Sequence, residues 1–342
     1  MRAVSRLSWA AVLCAGISAA QADVVVDTVS VGNPGNAGEL SGVGAGGPYG
    51  PDRICGEVDH VYDIGKFEIT ARQYTEFLNA VGTTDAYGLY NTYMADTANY
   101  FGCNIQRSDA SGSYRYSVPA ERANRPVNYV SWGDAARFAN WLTNGQPTGA
   151  QGPNTTEDGS YFLNGAVTDA ALLAVARKAN ARYVIPTEDE WYKAAYHRND
   201  GVTGNYWDYA TNTDELPSNN LTDPDPGNNA NFVQGPSGYT IGGPYWRTEV
   251  GEFEKSESPY GTFDQGGNVW EWNEAVLETT EGWRRGLRGG SFMDSDDLRA
   301  ADRYSTYPTR EYETVGFRVA LVPEPATATM LALGLLGLLR RR

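Results

Sequence analysis

Histidine and cysteine are scarce in this chain of 342 residues, which contains only two histidines and three cysteines. The cysteines have no histidine-rich neighbourhood, and the two histidines, His60 and His197, are not spaced as a ligand pair. No serine lies in a nucleophile elbow followed by acid and histidine partners. The scarcity therefore argues against a His/Cys metal centre, a redox pair and a serine hydrolase.

Basic residues are also in deficit, since 27 Lys and Arg face 42 Asp and Glu and the formal net charge is −15. Nucleic-acid binding needs a basic surface, so the charge balance argues against a nucleic-acid partner. An acidic surface favours solubility outside the cell and loose association with cations.

Long hydrophobic runs are absent except near the two ends. The first, Leu7–Ala20, follows two arginines and precedes Ala20-Gln21-Ala22, the small-x-small pattern of a cleavage site. Residues 1–22 are therefore predicted to be a secretory signal peptide.

The second run, Ala326–Leu339, lies between the Pro323-Glu324-Pro325 triplet and three terminal arginines. It is shorter than the roughly 20 apolar residues that span a bilayer. In the order of its parts, the segment 322–342 resembles the PEP-CTERM sorting signal. The resemblance implies recognition by an exosortase and transient anchoring of the tail in the inner membrane. It also implies export to the cell surface or extracellular matrix of a Gram-negative bacterium that makes exopolysaccharide.

Two cysteines remain once the signal peptide, which contains Cys14, is removed. In an exported protein, the simplest use of Cys55 and Cys103 is a disulfide bond, and we predict one.

Helical periodicity follows N-capping residues at three places, Thr70–Val81, Ser131–Leu142 and Thr187–His197. A fourth, shorter helix is predicted from Thr168 to Asn180. His197 is expected on the surface, at the end of its helix, where a cation is favoured by the helix dipole.

Strands are predicted at Val24–Val26 and Gly316–Leu321, and the polar stretch Asn199–Asn231 is predicted to be a long loop. No linker divides the body, so we predict an N-terminal strand and loop over residues 23–57 and one domain over 58–321. Modest helices, short strands and much irregular structure indicate the α+β class.

The stretch Ser258–Trp272 is unusually rich in glycine and oxygen-bearing side chains. Asp264 and Glu271 are hard oxygen ligands of the kind that calcium prefers, and the flanking tryptophans would anchor the loop. From the residues alone, two interpretations stay open, a cation site and a glycine-rich turn before a buried aromatic strand.

Several motifs occur in a fixed order along the chain. They are IGKFEITARQYTEFL (64–78), PVNYVSWGDAARFANWL (126–142), YVIPTEDEWYKAA (183–195), YGTFDQGGNVWEW (260–272), LRGGSF (287–292) and GFRVA (316–320). Together they resemble the formylglycine-generating, or sulfatase-modifying-factor, family. The resemblance implies a single C-type-lectin-related domain that is low in regular structure and stabilised by calcium.

The same resemblance implies calcium ligands position by position. One set comprises Asp264, Gly267, Val269 and Glu271, where the acids offer side chains and the other two offer carbonyls. Asn231 and Phe232 match the start of a second set whose remaining ligands cannot be placed.

The family's copper chemistry does not carry over. Its two copper-binding cysteines follow the GGS motif, and Asp294 and Arg299 stand at those positions here. Neither side chain replaces a thiolate as a ligand for Cu(I), so we do not expect formylglycine formation. Iron held by three histidines, as in the related sulfoxide synthases, is not expected in a chain with two histidines.

Two functional hypotheses remain. The first is a calcium-stabilised protein of the cell surface or exopolysaccharide that binds a polysaccharide or protein ligand. The second is an oxidoreductase of the same superfamily with an atypical metal site near Ser291, Asp294, Arg299 and Arg303. A surface salt-bridge cluster is the competing interpretation of those four residues.

Overall fold

The computed structural model describes residues 23–41, 49–235, 238–295 and 297–323. The signal-peptide and sorting-signal predictions fall outside these ranges, apart from residues 322 and 323. Among the described residues, no helix has the length and apolar character needed to cross a membrane.

The three main helices begin where their caps predict. Helices α1 to α5 span Ala71–Val81, Ala120–Ala123, Trp132–Thr143, Asp169–Leu173 and Glu188–Tyr196. Thr70, Ser131 and Thr187 each form a capping box at the start of α1, α3 and α5. Each box satisfies backbone N–H groups that would otherwise lack a partner in the first turn.

Most strands are short, and within the described residues they form two four-stranded sheets and three two-stranded sheets. Strands β1 to β14 span Thr28–Val31, Glu39–Ser41, Arg53–Cys55, Tyr62–Gly65, Gln106–Ser108, Arg115–Ser117, Tyr183–Val184, Val233–Gln234, Gly238–Tyr239, Trp270–Thr279, Gly282–Arg288, Tyr304–Thr306, Val315–Gly316 and Ala320–Leu321. One sheet has the order β1-β4-β14-β7 and the other β12-β11-β10-β13. Helices mixed with largely antiparallel pairing confirm the α+β class.

Packed aromatic rings form the centre of the core. Tyr74 and Phe77 of α1 face Phe138 of α3, whose ring lies 5.3 Å from Phe77 and 5.4 Å from Phe317, between centroids. All four side chains are fully buried. Because each such ring removes roughly 150–250 Å² from water, this cluster joins the helices to the C-terminal segment.

Three predicted elements differ in the structure. Val24–Val26 is not a strand, because the backbone of Val24 pairs with the Gln146 amide and the sheet begins at Thr28. The helix predicted for 168–180 ends at Leu173. The last strand is divided into β13 and β14, because Arg318 between them turns its side chain inward to an acid.

His197 is buried rather than on the surface. It ends α5, and its Nδ1 lies 2.8 Å from the Tyr260 hydroxyl. Burial lowers the pKa of His197, so the ring is held neutral between α5 and the glycine-rich stretch.

Candidate functional site

The glycine-rich stretch forms a tight loop that leads into β10. Gly267 has a φ of +89°, and an added Cβ there would lie 2.4 Å from the carbonyl oxygen of Asn231. Its N–H donates to the Gly289 carbonyl at 2.8 Å. Only glycine allows this approach, which ties the loop to the segment following β11.

Glu271 at the start of β10 is fully buried and paired with Arg318. Both carboxylate oxygens accept from the guanidinium at 2.6 Å, and the Trp191 indole donates to Oε2 at 2.6 Å. Burial alone would lower the pKa of Arg318, but the Glu271 charge raises it. Arg318 therefore stays charged in the interior.

Two further buried carboxyl groups lie near this pair. Asp264 accepts an N–H bond from Gly251 at 2.6 Å, while neither oxygen of Glu68 has a hydrogen-bond partner. Burial, and then the charge of Asp264, raises the pKa of Glu68 well above its usual range. Burial also raises the pKa of Asp264 to about 6. The charge of Arg318 acts on both carboxyl groups, but burial outweighs it, so their ionised forms are disfavoured.

The first predicted calcium set lies in this acidic region. In the described part of the chain, no group of three or more His, Cys, Asp or Glu side chains is arranged to hold a metal ion. A cation here would need backbone carbonyls besides carboxylates, as the family set of Asp264, Gly267, Val269 and Glu271 provides. The unpartnered oxygens of Glu68 fit a cation, whereas Glu271 is already engaged by Arg318.

The second predicted set fits a cation less well. The Phe232 carbonyl accepts a bond from Asn219 Nδ2 at 3.2 Å and lies 3.1 Å from Thr240 Oγ1, whose one proton is shared with the Ala230 carbonyl. Asn231 Oδ1 is buried without a partner, but its amide nitrogen bonds the Trp246 carbonyl and the Asn268 side chain, not an acid. We therefore do not place an ion at this set.

A groove of about 440 Å³ lies beside β10, on the side of β12 and β13. Its lining combines aromatic rings with carboxylates and one arginine: Tyr49, Trp270, Asp294, Asp297, Asp302, Arg303, Tyr304, Tyr312, Glu313, Thr314 and Val315. The volume is typical of ligand sites in proteins.

Rings and acids face the same space in this groove. The Tyr304 ring lies 4.9 Å from Tyr49 and 5.6 Å from Trp270, between centroids. Burial raises the pKa of Asp294, and burial with repulsion from Asp297 raises the pKa of Asp302 to about 6. Perturbed carboxyl groups in a cleft are typical of functional sites.

The four residues predicted for this region divide between three environments. Asp294 lines the groove and accepts a 2.5 Å bond from the Ser291 hydroxyl, so Ser291 lies behind it. Arg303 reaches the groove, but its Nε pairs with buried Glu188 at 2.6 Å. Arg299 does not line the groove and donates to the Tyr209 hydroxyl at 2.8 Å.

The predicted disulfide is not formed, since Cys55 and Cys103 are both free and buried. Cys103 packs in the main core, whereas Cys55 lies in a separate cluster beside α5. Cys55 Sγ accepts contacts of 3.4 Å from Arg288 and 3.5 Å from Arg303. The thiols therefore fill two different parts of the interior.

Sequence reasoning missed Glu68 and the aromatic wall formed by Tyr49, Tyr304 and Tyr312. The sequence did contain a signal for Glu68. This acid lies within the alternating run Ile64–Ile69, two residues before the helix cap Thr70. An acid at an inward position of such a run indicates a buried partner or ion. The tyrosines carry no comparable local signal, since distant segments bring them together.

Comparison with known proteins identifies a family and a sorting motif. The model of the family called sulfatase-modifying factor enzyme 1-like domain matches residues 55–322, and a PEP-CTERM protein-sorting motif matches residues 321–342. The Bos taurus protein named inactive C-alpha-formylglycine-generating enzyme 2 is 28% identical over 144 residues. That match covers 40% of this chain and 43% of the relative, so it spans less than half of the bovine protein.

Solved structures with the same fold include Treponema denticola variable protein 1, with 20% identity and a TM-score of 0.53. That alignment covers 89% of this chain and 98% of the other. The structure of PvdO from Pseudomonas aeruginosa is 18% identical, with a TM-score of 0.46, and the match covers 86% and 94% of the two chains. The family match spans most of the chain, so this protein belongs to the sulfatase-modifying factor enzyme 1-like domain family and is exported with a PEP-CTERM sorting motif.

Proposed function

We propose that this exported protein binds a ligand bearing positive charge, and that the ligand is a polysaccharide with free amino groups. The groove beside β10 carries the proposal, because it joins a wall of aromatic rings to a set of carboxylates. Aromatic faces pack against sugar rings and attract cations, while carboxylates accept hydrogen bonds from ammonium groups.

The charge of the groove supports a cationic ligand. Arg303 is the one arginine of the lining and pairs with buried Glu188, which Arg53 and Arg288 also contact, whereas four carboxyl groups line the groove: Asp294, Asp297, Asp302 and Glu313. Asp294 and Asp302 have raised pKa values because burial disfavours their ionised forms. An ammonium group beside them would favour their ionised forms, and the resulting electrostatic attraction would contribute to the free energy of binding.

The copper chemistry of the family is not part of the proposal. Asp294 stands at the position of one family cysteine and is held by Ser291, while Arg299 at the other position faces Tyr209. A soft thiolate pair is therefore replaced by hard or cationic groups, and we propose that the protein does not form formylglycine.

The proposal has two further parts, which concern a stabilising calcium ion and the sorting of the protein. We propose that one calcium ion near Asp264 stabilises the glycine-rich loop and the C-type-lectin-like fold. We also propose that an exosortase recognises the PEP-CTERM tail and that the mature protein resides at the surface or in the exopolysaccharide of a Gram-negative bacterium. The sorting motif supports the second statement.

Calorimetric titration with glucosamine tetramer and N-acetylglucosamine tetramer tests the ligand class, because the two sugars differ chiefly in charge. We expect binding of the first alone, weakened by Asp302→Asn and by Tyr304→Ala. The exposed Glu57→Gln variant is the matched control, since it removes one charge outside the groove. Equal binding of both sugars, or no binding of either, would overturn the proposal.

A further inference from the structure

Three tyrosines from two separate segments form an aromatic surface outside the groove. The rings of Tyr93 and Tyr100 are stacked, 4.2 Å apart between centroids, with an interplanar angle of 26°. The ring of Tyr129 lies 5.6 Å from that of Tyr93. Tyr129 is buried, whereas Tyr93 and Tyr100 remain 44% and 43% exposed although they are stacked. We call these three residues the tyrosine platform.

A tight loop holds the two exposed rings in place. The N–H of Asp96 donates to the Tyr93 carbonyl at 3.1 Å, and the N–H of Gly102 donates to the Asp96 carbonyl at 2.9 Å. An added Cβ at Gly102 would lie 2.2 Å from the Tyr93 carbonyl oxygen, so only glycine allows the loop to close in this way. The rings therefore have little conformational freedom left to lose when a ligand binds.

The backbone around the platform is strained. Among the non-glycine residues with positive φ in the described part of the chain, three are aromatic: Phe101, Tyr129 and Trp246, at +56°, +59° and +64°. The Phe101 ring lies 4.9 Å from that of Trp246, and the Tyr129 hydroxyl donates to the Tyr100 carbonyl at 2.5 Å. Bulky residues adopt such angles only where their surroundings fix them, and strain of this kind is concentrated at ligand sites.

The platform is joined directly to the wall of the groove. The Tyr129 N–H donates to the Tyr312 carbonyl at 3.0 Å, and Asn128 Nδ2 donates to the Glu313 carbonyl at 2.7 Å. Tyr312 and Glu313 both line the groove beside β10. A ligand that leaves the groove past these two residues would therefore meet the tyrosine platform.

A carboxylate accompanies the two exposed rings. Asp96 lies between Tyr93 and Tyr100 in the sequence, and its oxygens accept from the N–H groups of Ala98 and Asn99 and from the Asn99 side chain, all at 3.0 Å. The bond from the Asn99 side chain lowers the pKa of Asp96, so this acid is ionised at neutral pH. The platform thus combines aromatic rings with negative charge, as the groove does.

We propose that the tyrosine platform and Asp96 form a second subsite for the polysaccharide, which binds the sugar units that extend beyond the groove. This inference rests on the proposed function and adds a second surface to the same ligand site. A sugar ring would pack against Tyr93 or Tyr100, and Asp96 would accept a hydrogen bond from its ammonium group. A chain of amino sugars repeats the ring and the charge, which suits two subsites of the same chemistry.

The test compares two lengths of one sugar by calorimetric titration of the whole mature chain. We expect wild type to bind glucosamine hexamer at least about 10-fold more tightly than glucosamine dimer, because only the hexamer reaches both subsites. Tyr100→Ala and Asp96→Asn should each weaken the hexamer roughly 3- to 10-fold and leave the dimer unchanged. The matched control is Phe162→Ala, which removes an exposed ring elsewhere on the surface.

Thermal unfolding separates a loss of binding from a loss of folding. Tyr100→Ala should melt at the wild-type temperature, since its side chain is exposed and Tyr129 bonds only its backbone carbonyl. Wild-type affinity for the hexamer in Tyr100→Ala would overturn this inference and leave the groove in place. Sedimentation showing a dimer that Tyr100→Ala abolishes would also overturn it, since a second copy would then cover the platform. Failure of wild type to bind either sugar would overturn the proposed function and this inference with it.

Discussion

Replacing Arg318 should be among the most damaging single substitutions in this protein. Arg318→Met removes the cation from a buried region that contains Glu271, Asp264 and Glu68. Removing one partner of a buried ion pair typically costs about 3–5 kcal/mol, because the other charge stays buried and unpaired. Here the backbone carbonyls bonded to the guanidinium also lose their donors. We expect a loss of about 4 kcal/mol in the free energy of unfolding.

The structure predicts an asymmetry between the two partners. In Glu271→Gln, Arg318 keeps two other carboxyl groups nearby, so its charge is still partly compensated. In Arg318→Met, the three acids lose the cation that pairs with Glu271, and the ion pairs of the described residues offer them no other. Glu271→Gln should therefore cost less, and the double variant should cost less than the sum of the two single changes.

Urea unfolding in the presence of chelator, followed by tryptophan fluorescence, gives the free energy of unfolding of the wild type, the two single variants and the double variant. An unchanged m-value would indicate that the change lies in stability rather than in compactness. Losses within about 0.5 kcal/mol for both single variants would refute the reasoning, since that is the range of ordinary surface substitutions. A larger loss in Glu271→Gln than in Arg318→Met would refute the asymmetry.

Three other predictions follow from local features. Burial lowers the pKa of His197 below its unfolded value of about 6.5. The stability that the neutral ring contributes is therefore fully present above pH 6.5, about the unfolded value, and is lost as the pH falls through the folded pKa. The melting temperature of His197→Gln should vary less between about pH 5 and 8, and an unchanged slope would contradict this. Cys55 and Cys103 are free, so the mature chain denatured without reductant should react with a thiol reagent at both; a lack of reaction would indicate a disulfide. Thr70→Ala removes the side-chain cap of α1 and should cost about 1 kcal/mol in urea unfolding, whereas the exposed loop change Ser111→Ala should cost almost nothing.

Local patterns predicted the helices well because the information lies within one turn. Thr70, Ser131 and Thr187 each meet a partner three residues later, and the structure has all three capping boxes. The helix predicted for 168–180 was too long, because Arg177 turns to acids elsewhere, including Glu190 at 2.8 Å. Such tertiary contacts override a short periodic pattern.

The candidate site was predictable only in part. The family motif indicated the acidic loop around Asp264, but not the engagement of Glu271 by Arg318, which lies 47 residues later. The disulfide prediction was wrong because cysteine number and compartment say nothing about whether two thiols share a cluster. The groove combines side chains from Tyr49 to Val315, and only the folded chain brings these together.

The sheet order β1-β4-β14-β7 has a consequence for how the chain matures. Strand β14, the most C-terminal strand of the described residues, occupies an interior position and pairs with both β4 and β7. Until Ala320 and Leu321 emerge, β4 and β7 lack a common partner, and Arg318 cannot reach Glu271. The domain therefore cannot complete its fold until residues 320 and 321 have been synthesised. A version ending before Val315 should be digested rapidly by protease, and a resistant truncated domain would contradict this order of events.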